Sequence, residues 1–167
     1  MKPYMTIKHI VMAGGAYNGI YTIGALKHLI EKEFFDINNI ESIYGTSVGG
    51  FIGTLLCLKI EWSSIIDYIL DRPWERDLTF SADMMFNMIP KKGILNSDYM
   101  KIFFKNLLKS KNLSDEITLK EFYDFSKIKL FMFAVDVNTF EVVKISYETH
   151  PTLKLIDAVF ITCSMPF

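Results

Sequence analysis

The sequence predicts an α/β fold in which helices sandwich a mostly parallel sheet. Three observations carry this reading. Twice in the first 60 residues a short apolar run ends in a glycine-bearing turn and gives way to a helix-compatible run. The first passage is residues 7–13, then Gly14-Gly15-Ala16-Tyr17-Asn18-Gly19, then Ile20 onward. The second is the run ending at Gly45, then Thr46-Ser47-Val48-Gly49, then Phe51 onward. Third, residues 128–137 (IKLFMFAVDV) form a continuously apolar run, the pattern of a strand buried on both faces of a parallel sheet.

Composition sets the outer limits. The chain has 167 residues, 50% of them apolar, which suffices for one domain with a substantial core and not for two. A formal net charge of −1 argues against nucleic acid as a partner, because phosphate binding needs a basic surface. Cys57 and Cys163 sit in apolar contexts and read as buried, reduced thiols. No secretory signal is evident after Met1-Lys2-Pro3, and the run at 7–13 is too short to span a bilayer. The default expectation is a cytoplasmic protein.

In chain order, residues 7–13 (IKHIVMA) are rich in β-branched and apolar types and predict a buried strand. From Ile20 the apolar positions Ile20, Ile23, Leu26 and Ile30 follow helical spacing as far as Glu31-Lys32-Glu33. A strand, a glycine-rich turn and a helix make an anion-binding unit, with backbone N–H groups aimed at a negative oxygen. Two ligands fit such a unit. One is a dinucleotide, with Asp36 as ribose partner; the other is an oxyanion, held by the N–H groups of Gly15 and Ala16.

The second turn decides between them. Gly45-Thr46-Ser47-Val48-Gly49 is G-x-S-x-G, the pattern of a nucleophile elbow, in which a strand turns sharply into a helix and the serine at the apex stands clear of the backbone. Gly45 and Gly49 have no Cβ, so strand and helix can approach closely. The helix N-terminus behind Ser47 adds N–H groups and a positive dipole end. A serine at such a turn is superfluous to a dinucleotide site, whereas acyl transfer needs both a nucleophile and oxyanion donors.

Residues 51–60 are apolar nearly all round, with Gly49, Gly50 and Gly53 along one side, and predict a central helix wedged between neighbours. Residues 62–70 predict an amphipathic helix that ends near Asp71-Arg72-Pro73. Trp74, Phe80, Met84, Met85, Phe86, Met88 and Ile89 crowd the irregular stretch 72–92, adaptable apolar surface that packs as a satellite of the core or caps a site. Asn96 or Ser97 caps the next helix, whose apolar face is Met100, Phe103, Phe104, Leu107 and Leu108. Its lysine stripe, Lys101, Lys105 and Lys109, reads as a solvated face, with contact to an anionic membrane surface as the rival reading. A short helix over 118–125, strands over 128–137 and 141–147 joined by Asn138-Thr139, and a last helix over 154–162 complete the expectation.

These landmarks together resemble the patatin-like phospholipases. Gly14-Gly15-Ala16-Tyr17-Asn18-Gly19 and the helix after it are similar to the family's opening G-G-G-x-[RK]-G. Gly45-Thr46-Ser47-Val48-Gly49-Gly50 resembles its elbow, and Asp157-Ala158-Val159 with Thr162-Cys163-Ser164-Met165-Pro166 resembles its D-A-V-x-A-S-x-x-x-P segment. The resemblance runs from about residue 7 to the last residue. It implies a three-layer α/β sandwich with a mostly parallel central sheet, and a lipid acyl hydrolase. Ser47 would be the nucleophile, the loop Gly14, Gly15, Ala16 and Gly19 would hold oxyanion and substrate, and Gly45 and Gly49 would frame the elbow. The partner would be a lipid or phospholipid, with peripheral membrane contact; no metal or cofactor is implied.

Two positions depart from the pattern. Ala16 stands for the third glycine, and can still donate its N–H provided its φ is negative. Asn18 stands for the basic residue, which weakens the loop's preference for anions. The family's second catalytic residue is an aspartate in a D-G-[GA] motif after the proline segment, and no Asp-Gly dipeptide occurs in this sequence. The expectation is therefore one domain over 1–167, a fragment or a truncated relative that lacks the segment carrying this aspartate and has little activity alone. The alternative is a non-catalytic lipid- or membrane-binding relative. Asp136 and Asp157 match structural aspartates of the family. Ser47, Asp136 and His150 also occur in the Ser–Asp–His order of α/β-hydrolases, a less favoured assignment because too few strands precede Ser47.

Overall fold

A computed structural model describes residues 6–71 and 97–164. The Met- and Phe-rich stretch, the cap at Asn96 and the closing Pro166 therefore lie outside the described residues. Among those described, the order is β1 (His9–Met12), α1 (Gly19–Glu31), β2 (Ser42–Thr46), α2 (Val48–Cys57), α3 (Trp62–Asp71), α4 (Ser97–Ser110), α5 (Leu119–Ser126), β3 (Lys129–Val135), β4 (Val142–Ile145) and α6 (Leu155–Cys163). The architecture is α/β with a mostly parallel sheet, as expected.

The four strands lie in the order β1-β2-β3-β4. β1 pairs β2 in parallel with Met12 opposite Gly45, and β2 pairs β3 in parallel with Thr46 opposite Phe133. β4 returns antiparallel, with Ile145 opposite Met132. Because the parallel strands advance in one direction and such crossovers are right-handed, both connections deliver their helices to the same face. On that face α2 packs against β1, β2, β3, α1 and α6, and α6 packs against α2, α4 and β3.

α2 is the central helix. Every residue from Ile52 to Cys57 is buried, with Ile52, Leu55 and Cys57 fully so, as the all-round apolar pattern predicts. The helix stops at Cys57 because Lys59 takes a left-handed φ of 50°. Phe51 leans on Phe103 and Phe104 of α4 with ring centroids 4.5 and 5.0 Å away. Phe104, Leu107 and Leu108 are buried while Lys105 and Lys109 are exposed, so α4 turns its apolar face inward. α5 opens with a capping box in which Thr118 accepts the Glu121 N–H and Glu121 accepts the Thr118 N–H.

The expectation for β1 needs correction. It is a four-residue edge strand and not a buried one: Met12 is buried, while Val11, on the opposite face, is 78% exposed. The pleat sends alternate side chains to opposite faces, and no described helix covers the second. The connection between β3 and β4 is also longer than a two-residue turn. It spans 136–141 and is closed by Asp136, whose Oδ1 accepts the Asn138 N–H at 2.8 Å.

Candidate active site

Ser47 is the hinge between β2 and α2. Its φ is 54° and its ψ −125°, a combination that residues with a side chain adopt only under strain, at a cost of about 1–3 kcal/mol. The surrounding glycines make the turn sterically possible. A Cβ on Gly45 would lie 2.4 Å from the Gly49 carbonyl carbon, and one on Gly49 would lie 2.4 Å from the Met12 carbonyl oxygen. Both distances are far inside van der Waals contact, so the strand–helix packing admits no side chain at either position.

The parallel register brings the glycine loop to this turn. Met12 and Gly45 are partners, so the chain leaves β1 at the same end of the sheet at which β2 turns into Ser47. A Cβ built on Gly14 would lie 3.2 Å from Ser47 Cβ and 3.9 Å from its Oγ. The loop's other end closes on the next residue, since a Cβ on Gly19 would lie 2.3 Å from Val48 Cγ2. Gly14 thus lies against Ser47 and Gly19 against Val48, so the two ends of the loop that carries Gly15 and Ala16 sit outside the carboxyl ends of parallel strands. Open α/β sheets bind their ligands there. The proviso at Ala16 is not met: its φ is 46°, in the left-handed region that glycine occupies without cost.

The floor of the turn comes from α6, more than a hundred residues later. The Ser47 N–H donates to Thr162 Oγ1 at 3.0 Å, and the Thr162 hydroxyl donates to the Phe133 carbonyl at 2.6 Å. Cys163 follows it. Burial pushes the Cys163 thiol up to about 11, and a hydrogen bond with the Ser47 side chain opposes that rise. Cys57 fits the expectation of a buried thiol, pushed up to about 12 by burial, whereas Cys163 is only half-buried, beside Ser47.

The Ser–Asp–His assignment does not assemble. β4 carries the chain back to the amino end of the sheet, where Glu148 pairs with Lys129, the first residue of β3, and Pro151 and Leu153 accept N–H groups from α5. His150 therefore lies at the opposite end from Ser47, about 13 Å away along β3 alone at strand rise. Asp136 lies at the Ser47 end, but its carboxylate closes the β3–β4 turn. Asp36 caps a 3₁₀ turn through the Asn38 N–H, a structural task. A surface depression of about 400 Å³ lined by Ile30, Phe35 and Ile37 sits at the amino end, remote from Ser47. Among the described residues, no cluster of three or more His, Cys, Asp or Glu side chains is placed to hold a metal ion, and no helix is long and apolar enough to cross a membrane.

Thr162 is the residue that sequence reasoning missed. The available signal was its position in the D-A-V-x-A-S-like segment, where threonine stands in place of the serine.

A strained serine between a parallel strand and a buried helix, with Gly14 beside it, gives the class: an α/β protein whose second strand–helix turn has the geometry of an elbow. Its family is specific. A sequence model of the patatin-like phospholipases matches residues 10–167, and the chain belongs to that family. Among curated proteins it is 27% identical over 164 residues to the uncharacterized protein R571 of Acanthamoeba polyphaga mimivirus, covering 96% of this chain and 52% of that one. It is 26% identical over 161 residues to the probable lipid hydrolase 463L of Invertebrate iridescent virus 6, covering 95% and 53%. The chain thus spans about half the length of these relatives. Among solved structures, full-length ExoU of Pseudomonas aeruginosa, crystallised with SpcU, shares the fold with a TM-score of 0.63 at 16% identity, over 96% of this chain and 38% of that one.

Proposed function

We propose that this chain carries the acyl-transfer site of a lipid hydrolase, within a single domain over residues 1–167. Ser47 attacks the ester carbonyl of a lipid or phospholipid. The developing oxyanion is held by N–H groups of the Gly14–Gly19 loop, Gly15 foremost. Its collapse breaks the lipid ester bond and expels the alcohol, which takes the proton the serine gave up, and water then releases the fatty acid from the acyl-enzyme. The observation that carries this reading is the φ of 54° and ψ of −125° at Ser47, with the Gly14 backbone packed against its side chain. Strain of this kind persists only where surrounding structure enforces it, and in a nucleophile elbow it holds the serine side chain clear of its own backbone. Membership of the patatin-like phospholipase family supports a lipid as the substrate class.

The attack needs a proton acceptor. The family's second catalytic residue is an aspartate of a D-G-[GA] motif, and because no Asp-Gly dipeptide occurs in these 167 residues, ester hydrolysis is expected to be slow. A positioned base contributes about 10² to 10⁴ in rate, and an oxyanion site without one still gives about 10³ over water.

The test uses the chain as it is, with a p-nitrophenyl acyl ester and with phosphatidylcholine vesicles. The expected outcome is slow turnover that falls to the uncatalysed rate in Ser47→Ala, together with labelling of Ser47 by a fluorophosphonate, located by peptide mass. Equal rates for parent and Ser47→Ala remove the nucleophile assignment. Vesicle binding without turnover or label favours a lipid-binding module.

A further inference from the structure

The Thr162 hydroxyl occupies a singular place. Thr46 and Phe133 are the last partners of the β2–β3 ladder. One residue on, β2 leaves the sheet into the strained Ser47, and a ladder bond can no longer form. Thr162 Oγ1 stands in that gap, accepting from the Ser47 N–H at 3.0 Å and donating to the Phe133 carbonyl at 2.6 Å. Thr162 is only 5% exposed, and the half-buried Ser47 N–H and Phe133 carbonyl at the sheet end both use its one hydroxyl. Its single proton is committed to Phe133 and one of its two lone pairs takes the Ser47 N–H, so it has no proton to donate to substrate.

We infer that Thr162 is a positioning residue that sets the Ser47 elbow. It acts through the Ser47 backbone, and this role rests on the acyl-transfer reading above. Two consequences follow from the geometry. With its N–H held by Thr162, Ser47 keeps φ 54° and ψ −125°, and its side chain stays beside Gly14 with its hydroxyl hydrogen-bonded to Cys163. The bond to Thr162 withdraws the Ser47 N–H from the oxyanion, so the donors must come from the loop or from the start of α2. Without the hydroxyl, the strained turn relaxes toward an ordinary φ. Misplacement of a reacting group by about 1 Å costs up to about 10²-fold in rate.

Thr162→Val keeps shape and volume and deletes the hydroxyl; Thr162→Ser keeps the hydroxyl and deletes the methyl. Two readouts are taken on the full chain: the exchange rate of the Ser47 amide by NMR, and the rate of fluorophosphonate labelling at Ser47. In the parent the Ser47 amide is protected. In Thr162→Val its exchange accelerates by about a hundredfold, and labelling slows by about ten- to a hundredfold. Thr162→Ser restores both. Should Thr162→Val fail to fold, the parent and Thr162→Ser decide: an unprotected Ser47 amide in the parent, or protection lost in Thr162→Ser, overturns the inference. So does a Thr162→Val protein that folds with the amide still protected or labels at the parent rate. A parent that does not label at all removes the acyl-transfer reading, while the amide exchange still decides whether Thr162 holds the turn.

Discussion

Adding one methyl group at three glycines separates the elbow from an ordinary helix. At Gly45 the new Cβ meets the Gly49 carbonyl carbon at 2.4 Å and the Gly49 oxygen and Gly50 nitrogen at 2.5 Å. At Gly49 it meets the Met12 oxygen at 2.4 Å and the Ala13 oxygen at 2.9 Å. Ordinary contact is about 3.5 Å, so each clash is short by about 1 Å, and every atom in it is backbone that cannot rotate away. Relief requires α2 to withdraw from β1 and β2, loosening the contacts of Ile52, Leu55 and Leu58, all fully buried. Overpacking of this severity costs about 3 kcal/mol or more. At Gly24, an exposed position within α1, the added Cβ meets nothing within 4 Å, and alanine stabilises the helix by about 0.5–1 kcal/mol. Urea unfolding followed by circular dichroism measures all three. At a slope of about 2 kcal/mol/M, Gly24→Ala moves the midpoint up by about 0.4 M. Gly45→Ala and Gly49→Ala move it down by about 1.5 M or abolish folding. A Gly45→Ala protein within about 0.5 kcal/mol of its parent would refute the strand–helix contact on which the Ser47 geometry depends.

Other expectations are smaller in scale. Ala16→Gly relieves the left-handed backbone at φ 46° and offsets that gain with glycine's extra freedom, so thermal unfolding rises by about 2 °C; a fall would argue against the positive φ. Thr118→Ala removes the capping hydroxyl of α5 and costs about 1 kcal/mol by urea titration, with no effect on Ser47 labelling. Cys57 and Cys163 have folded-state values raised from 9.0 to about 12 and about 11, so their contribution is complete below pH 9 and is lost as pH rises toward those values. Stability should decline between about pH 9 and 11, and more shallowly in Cys57→Ala; an identical decline would place its cause elsewhere. The same burial keeps Cys163 slow toward a thiol reagent at pH 7.5, with a rate that rises up to about pH 11.

Much of this protein follows from local pattern. The spacing of Ile20, Ile23, Leu26 and Ile30 marks α1, and the all-apolar run after Ser47 marks a buried helix, because a helix surrounded by neighbours has no polar face to show. G-x-S-x-G marks the elbow, since only glycine fits where strand and helix backbones touch. Family membership was likewise legible from three motifs in order. Other features arise only when distant segments meet. Val11 reads as core in a run of apolar residues, yet strand order and crossover hand leave its face uncovered by the described helices. His150 follows Ser47 and Asp136 in a familiar order, but an antiparallel return strand carries it to the wrong end of the sheet. Ala16 shows its positive φ only within the closed loop. Thr162 is one hydroxyl in an apolar helix until α6 docks against β3, and only then does its oxygen fall between Ser47 and Phe133. Periodicity and glycine placement are encoded residue by residue, whereas a hydrogen bond across 115 positions depends on how the whole sheet is ordered.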